Sequence, residues 1–69
     1  MSTTAYTVTG MSCGHCESSV REEVAKIAGV TGIQVSAADG RLVIDADTEV
    51  ADADVLAAVD EAGYSAVRA

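Results

Sequence analysis

Apolar and polar residues follow one another in this chain in two different rhythms, which predict four strands and two helices. Strict alternation over residues 5–9, with Tyr6 and Val8 on one side, predicts the first strand. Gly10 breaks this alternation, and a short loop over residues 11–15 follows it. The chain therefore passes from a strand through a polar loop into the next element.

The first helix is predicted over residues 16–28. Its apolar positions recur every three or four residues, as they do on one face of a helix: Cys16, Val20, Val24 and Ile27. Gly29 follows this segment, and glycine is common directly after a helix because it adopts the left-handed conformation there.

A hairpin is predicted next. Residues 30–37 form a second apolar strand that is interrupted at Gly32, and residues 41–45 alternate as a third strand around Leu42 and Ile44. Asp39-Gly40 between them is a strong signal for a tight turn.

A polar stretch over residues 45–54 leads into the second helix. Its predicted apolar face consists of Val55, Leu56, Val59 and Ala62. Asp52 and Asp54 lie near its start, where the helix dipole favours negative charge. Gly63 ends the helix, and residues 64–67 form a short last strand.

The order strand-helix-strand-strand-helix-strand predicts an α+β fold of the ferredoxin-like type, βαββαβ. In this arrangement a four-stranded antiparallel sheet carries two helices on one face. With 69 residues, the chain has the length of one small domain, and we expect residues 1–69 to form it.

The charge and composition exclude several classes of partner. The net charge of −7 argues against nucleic acid and against an anionic membrane surface, because both require clustered Lys and Arg. No apolar run has the length of a membrane span, and the start lacks the features of an export signal. We therefore expect a cytoplasmic protein that does not insert into a membrane and whose thiols stay reduced.

The acidic residues are concentrated in the second half of the chain. Residues 39–61 contain eight acids and a single base, Arg41. Two interpretations are open: electrostatic docking to a basic partner, or a solvated surface that maintains solubility.

Two cysteines, Cys13 and Cys16, are the residues with the clearest chemistry. They stand three apart where a strand passes into a helix, so both sulfurs can lie on the same side. Backbone N–H groups and the dipole at a helix start favour the thiolate, and they can lower a thiol pKa from about 8.5 to roughly 3.5–7.5. Two soft thiolates presented to solvent suit a soft ion of low coordination number such as Cu(I).

Other uses of a cysteine pair fit less well. A structural zinc ribbon and a four-cysteine iron–sulfur cluster need a second cysteine pair, which one copy of this chain does not offer, and covalent haem attachment needs His where Glu17 stands. A thiol-disulfide redox protein of the thioredoxin type has a longer chain and a cis-proline, which this sequence lacks. Two ordinary buried cysteines are disfavoured by the polar residues around them: Ser12, Gly14 and His15.

The segment Gly10-Met11-Ser12-Cys13-Gly14-His15-Cys16 resembles the Gly-Met-x-Cys-x-x-Cys signature of heavy-metal-associated domains. It is most similar to that of the small cytoplasmic copper chaperones of bacteria. Gly29-Val30 after the first helix and Gly63-Tyr64 after the second, both usual in that family, extend the resemblance over nearly the whole chain.

The resemblance implies that Cys13 and Cys16 bind Cu(I) and pass it by ligand exchange to a copper-transporting P-type ATPase. It also implies a non-enzymatic carrier that is monomeric without metal and can form a copper-bridged homodimer. Relatives that handle Zn(II) or Cd(II) often carry an acidic residue where Ser12 stands, which favours copper here. Silver(I) should bind in the same way, and a module of another heavy-metal transport system (Ag, Zn or Hg) is the alternative.

Three further residues have expected roles near the metal. The family resemblance implies that Met11 points inward and anchors the loop, and that Tyr64 approaches the loop from the neighbouring turn and shields it. The alternatives are a thioether ligand to Cu(I) for Met11 and an ordinary edge aromatic for Tyr64. For His15 three roles stay open: a solvated side chain, a protonated side chain that tunes the thiols, or an auxiliary ligand in a copper-bridged dimer.

Overall fold

The computed structural model describes residues 2–11 and 14–69 and contains the predicted succession of elements. The strands are β1 (Ser2–Thr9), β2 (Val30–Ser36), β3 (Arg41–Ala46) and β4 (Ser65–Arg68), and the helices are α1 (Gly14–Val24) and α2 (Asp52–Glu61). All neighbouring strands are antiparallel, in the order β2-β3-β1-β4. The helices contact each other, and α1 packs against β2 while α2 packs against β4. The predicted ferredoxin-like fold is therefore confirmed.

The core lies between the sheet and the two helices. Alternation along β1 and β3 turns one set of side chains toward the helices, and both helices contribute valines to the same layer. The buried members are Tyr6, Val8, Val20, Val24, Leu42, Ile44, Val55 and Val59. Complete burial of one such aliphatic side chain contributes about 1.5–3 kcal/mol, so this layer is the main source of stability in a chain of this size.

The first helix ends earlier than the sequence predicts. It stops at Val24 and not at Ala28, because the N–H groups of the following turn bond to the carbonyl three residues earlier instead of four. The N–H of Lys26 donates to the carbonyl of Glu23 at 3.2 Å, and that of Ile27 donates to Val24 at 3.1 Å. Ile27 still packs against the core from this turn, which explains why its spacing looked helical.

The first strand begins earlier than predicted, at Ser2 and not at Ala5. Its first residues are polar and show no alternation, but they pair with the end of β3, where Ser2 is opposite Ala46. The hydroxyl of Thr3 also donates to the carboxylate of Asp45 at 2.7 Å. Cross-strand pairing therefore forms a strand that hydrophobic patterning does not reveal.

Smaller differences concern the other strands. β2 ends at Ser36, which leaves Ala37 in the hairpin turn, and β4 occupies Ser65–Arg68, one residue later than predicted. The irregularity predicted at Gly32 is confirmed, because the pairing of β2 with β3 shifts register there.

The topology divides the molecule into two ends. We call one the loop end; it comprises residues 10–11, 14–16, 37–40 and 62–64, where β1, β2 and α2 finish. We call the other the distal end; it comprises residues 25–29 and 47–52 together with Arg68. Within the described part of the chain, neither helix has the length and apolar character required to cross a membrane.

Candidate metal-binding site

Cys16 lies in the first turn of α1. The helix begins at Gly14, two residues before its predicted start, so Cys16 is the third helical residue. Its side chain follows the same face as Val20 and Val24, and only 7% of its surface is exposed. The expectation that both sulfurs are presented to solvent is therefore wrong for Cys16, because Cys16 belongs to the predicted apolar face of α1 and that face is buried.

Ser12 and Cys13 lie outside the described residues. The predictions that Cys13 is a metal ligand and that Ser12 favours copper over zinc therefore stay predictions. The chain enters this segment from Met11 and leaves it at Gly14, and both of those residues are described.

Met11 and His15 differ in burial. Met11 is partly buried and packs against the hydrophobic core, which is the inward position predicted for it. His15 is the second residue of α1 and is exposed. A side chain there can reach solvent or a partner, and its participation in metal binding stays a prediction.

Tyr64 lies against the end of β1. Gly10 has φ +95°, and a Cβ atom placed on it would stand 3.3 Å from Cδ1 of the Tyr64 ring. The backbone N–H of Tyr64 donates to the carbonyl of Val59 at 3.1 Å, which holds the turn after α2 in place. The ring therefore covers Gly10, the residue before the predicted loop over residues 11–15, which we call the Cys-containing loop. The role of Tyr64 toward a metal stays a prediction.

Within the loop end, the turn between β2 and β3 is hydrogen-bonded to β1 and to α1. The N–H of Val8 donates to the carbonyl of Gly40 at 2.7 Å, and the N–H of Ala37 donates to Oε2 of Glu17 at 2.7 Å. The sequence analysis did not assign Glu17 to the site. A carboxylate in a first helical turn is common because it complements the dipole, and nothing in the sequence indicates a partner twenty positions away.

Tyr6, Asp52 and Arg68 form a polar network at the distal end. The Tyr6 hydroxyl donates to Oδ1 of Asp52 at 2.8 Å, and Nη1 of Arg68 lies 2.9 Å from Oδ1 and 2.7 Å from Oδ2. Burial of the ring, followed by the bond to the Asp52 carboxylate, raises the pKa of Tyr6 to about 12. The hydrogen bonds from Tyr6 and Arg68 lower the pKa of Asp52 below its ordinary value. This network is remote from the loop end and takes no part in the candidate site.

The described residues alone do not make a multidentate metal site. Across residues 2–11 and 14–69, no three His, Cys, Asp or Glu side chains are grouped so that they could hold one ion. Among the described residues of the loop end, the side chains of a type that can bind a metal are Met11, His15, Cys16 and Asp39.

Comparisons with known proteins identify close relatives. A segment of the zinc/cadmium/lead-transporting P-type ATPase of Shigella sonnei is 43% identical over 61 residues, which cover 88% of this chain but only 8% of the ATPase. The copper chaperone CopZ of Staphylococcus aureus is 37% identical over 68 residues, which cover 97% of this chain and all of CopZ (100%). A solved structure of a CopZ metallochaperone superposes with a TM-score of 0.88 at 36% identity and covers 96% of this chain and 100% of that one.

The family assignment rests on nearly the whole chain. The sequence model of the heavy-metal-associated domain matches residues 5–65, which run from the middle of β1 to the first residue of β4. That match includes Cys13, Cys16 and every residue of both helices. The loop end, the fold and the relatives thus agree, and the chain belongs to the heavy-metal-associated domain family.

Proposed function

We propose that this protein is a copper chaperone that binds Cu(I) through the thiolates of Cys13 and Cys16. It carries the ion in the cytoplasm, catalyses no reaction, and delivers the ion to a copper-exporting P-type ATPase. The observation that carries this proposal is the similarity to CopZ, a protein named as a copper chaperone, over the full length of that protein. The ATPases match only through a small segment of their length.

The position of Cys16 supports thiolate binding. Its place in the first turn of α1 brings it close to the N–H groups that have no partner within the helix, and to the positive end of the dipole. Its low exposure puts the sulfur in a poorly solvated environment, where contact with a soft cation is favoured over contact with water. A pair of thiolates and one monovalent ion leave a single net negative charge, which the helix start can stabilise.

Release of the ion proceeds by ligand exchange. An incoming thiolate of the partner adds to the ion to give a three-coordinate intermediate, and one of the two cysteines then leaves. Because Cys16 is nearly covered, we propose that exchange begins at Cys13 and that Cys16 is the last ligand to be released.

Acidic residues near the loop end support docking to a basic partner surface. Asp60 and Glu61 are exposed in the last turn of α2, where no basic residue accompanies them. A negative charge at a helix C-terminus opposes the dipole, and each such charge costs about 0.3–1 kcal/mol of helix stability. Asp39 adds a further exposed acid from the neighbouring turn. A surface that is kept acidic at this cost suits recognition of Lys and Arg.

A second candidate function is a Zn(II) module of a transport system. It is favoured by the 43% identity to the segment of the zinc/cadmium/lead-transporting ATPase, which exceeds the 37% identity to CopZ. The two candidates differ in the ligands they need, since Zn(II) prefers four ligands and accepts oxygen, whereas Cu(I) is satisfied by two sulfurs.

Competition titration separates the two. The reduced protein is titrated with Cu(I) and with Zn(II) against chelators of known affinity, and the copper-loaded sample is measured by copper-edge X-ray absorption. We expect one Cu(I) per chain with two sulfur neighbours, weak Zn(II) binding, and loss of Cu(I) binding in Cys13→Ser. Ser12→Asp should raise the affinity for Zn(II). Zn(II) binding that rivals Cu(I) binding in the wild type, or copper with no sulfur neighbour, contradicts the proposal.

The redox alternative is tested on the same sample. A thiol-disulfide protein reduces insulin in the presence of a thiol regenerant. We expect no acceleration above the regenerant alone, while catalytic insulin reduction without Cu(I) binding would establish the redox function.

A further inference from the structure

The turn between β2 and β3 is fixed to both chain segments that flank the Cys-containing loop. We propose that Glu17 is a positioning residue for copper handling, because its carboxylate fastens the first turn of α1, and with it Cys16, to this turn. The inference rests on the proposed function and deepens it, since it assigns control of the metal-release rate to a residue that does not touch the metal.

The first attachment is made by Glu17. Its Oε2 accepts the N–H of Ala37 at 2.7 Å, and the bond is partly buried. A short bond to a carboxylate in such a place is stronger than one between neutral groups. Glu17 directly follows Cys16, so the bond acts on the helical turn that presents this cysteine.

The second attachment is made by Gly40. Its carbonyl accepts the N–H of Val8 at 2.7 Å, near the end of β1. Gly40 has φ +62°, and a Cβ on it would stand 2.8 Å from the carbonyl oxygen of Val8, so only glycine permits this approach. The turn is therefore held closely against the strand that leads into the loop.

Together the two attachments set where α1 begins relative to the end of β1. The first turn of a helix frays readily because its N–H groups lack partners within the helix. The Glu17 bond adds a tertiary contact to the turn that carries Cys16, and its loss removes that contact. We expect Cys16 then to sample more positions, and a bound Cu(I) to be lost faster to a competing ligand.

Two conservative variants separate the bond from the charge. Glu17→Asp keeps the charge but is one methylene too short to reach Ala37, whereas Glu17→Gln keeps the length and a carbonyl acceptor but loses the charge. Glu22→Ala is the matched control, because Glu22 is an exposed acid on the same helix. Val55→Ala is the control for stability, because Val55 is buried in α2 on the distal side.

Two measurements are made on each variant. One is the rate at which bathocuproine disulfonate removes Cu(I) from the loaded protein without oxygen, and the other is hydrogen exchange of the Ala37 amide in the metal-free protein. We expect Glu17→Asp to release Cu(I) about tenfold faster, at the lower end of what loss of an outer supporting bond costs, and to exchange the Ala37 amide faster. Glu17→Gln keeps a weaker, neutral bond and should fall between the wild type and Glu17→Asp in both measurements, and Glu22→Ala should match the wild type.

Several results would overturn the inference. Wild-type release rates in Glu17→Asp would do so. Faster release in Glu17→Gln than in Glu17→Asp would also do so, because Glu17→Asp keeps the charge and the charge, not the bond, would then be responsible. An equal acceleration in Val55→Ala would assign the effect to general stability. If the wild type fails to bind Cu(I), the proposed function fails, whereas unchanged Ala37 exchange in Glu17→Asp shows that the attachment itself is absent.

Discussion

The loop end and the distal end of this domain are both closed by contacts between segments that are far apart in the sequence, but different groups make those contacts. At the distal end three polar side chains, Tyr6, Asp52 and Arg68, are joined in one network. At the loop end the contacts among the described residues include backbone hydrogen bonds, close glycine approaches and the side-chain bonds of Glu17 and Thr9.

This difference suggests that the distal end contributes to stability, whereas the loop end holds the residues of the candidate metal site. At the distal end the polar side chains are hydrogen-bonded to each other, and these bonds connect β1, α2 and β4. At the loop end, backbone hydrogen bonds and the Glu17 carboxylate hold the segments that carry His15, Cys16 and Tyr64. Substitutions at the two ends should therefore affect different measurements, and four predictions test this.

The largest expected effect is on metal binding at the loop end. Cys16→Ser should lower the Cu(I) affinity by about a hundredfold or more, because loss of a direct ligand exceeds the cost of losing an outer partner. The fold without metal should persist, since serine is close in size. Competition with a chelator and thermal unfolding measure the two effects. Asp52→Asn at the distal end is the control, and an equal loss of affinity there would abolish the distinction between the ends.

Met11→Ala should change stability although Met11 lies at the loop end. Met11 belongs to the loop end but packs on the core, so its truncation should lower the free energy of unfolding by about 1–2 kcal/mol, less than for a fully buried methionine. The Cu(I) affinity should change by less than about threefold, if the thioether is no ligand. Denaturant unfolding and competition titration measure these values. A large loss of affinity with unchanged stability would instead make Met11 a ligand.

Tyr6→Phe should act on the distal end alone. It removes the hydroxyl that donates to Asp52 and should cost about 1 kcal/mol of unfolding free energy, with Cu(I) affinity unchanged. The folded state holds the Tyr6 proton more tightly than the unfolded state, because its pKa is raised from 10.0 to about 12. The wild type should therefore lose stability as the pH rises between these values, and the variant should lack this part of the loss. Denaturant unfolding at a series of alkaline pH values measures it, and parallel curves for both proteins would contradict the assignment.

The smallest effect is expected in acid. The pKa of Asp52 is lowered from 3.8 in the folded state, so the stabilisation that its carboxylate provides is complete above that value and disappears as the pH falls through the folded pKa. Asp52→Asn should thus be less stable than the wild type near neutral pH, and the two should converge in acid. Urea unfolding from neutral pH to pH about 2 follows this difference. A constant difference over that range would show that the charge of Asp52 contributes nothing.

The sequence predicts the fold well because the strongest signals are local. Alternation around Tyr6 and Val8 in the first strand, and around Leu42 and Ile44 in the third, determines which faces are buried, and all four residues lie in the core. Asp39-Gly40 gives the hairpin turn for an equally local reason, since glycine adopts its φ of +62° without strain.

The features that the sequence did not reveal depend on tertiary contacts. The partner of Glu17 is a backbone N–H in a turn reached only after β2 has folded back, and the partner of Tyr6 stands at the start of α2. The start of α1 at Gly14 was missed because glycine and histidine are weak helix formers. The burial of Cys16 agrees with its predicted place on the apolar face of the helix, and the expectation of an exposed sulfur did not follow from that place.

The placement of the two tyrosines gives the protein a natural optical reporter at each end. The chain has no tryptophan and two tyrosines, so ultraviolet emission arises from Tyr6 and Tyr64. Tyr64 lies over Gly10 beside the Cys-containing loop, while the hydroxyl of Tyr6 is bonded to Asp52 at the other end. In Tyr6→Phe the remaining emission comes from Tyr64 and would report metal loading of the Cys-containing loop. In Tyr64→Phe it comes from Tyr6 and would report unfolding, and neither measurement needs an attached dye.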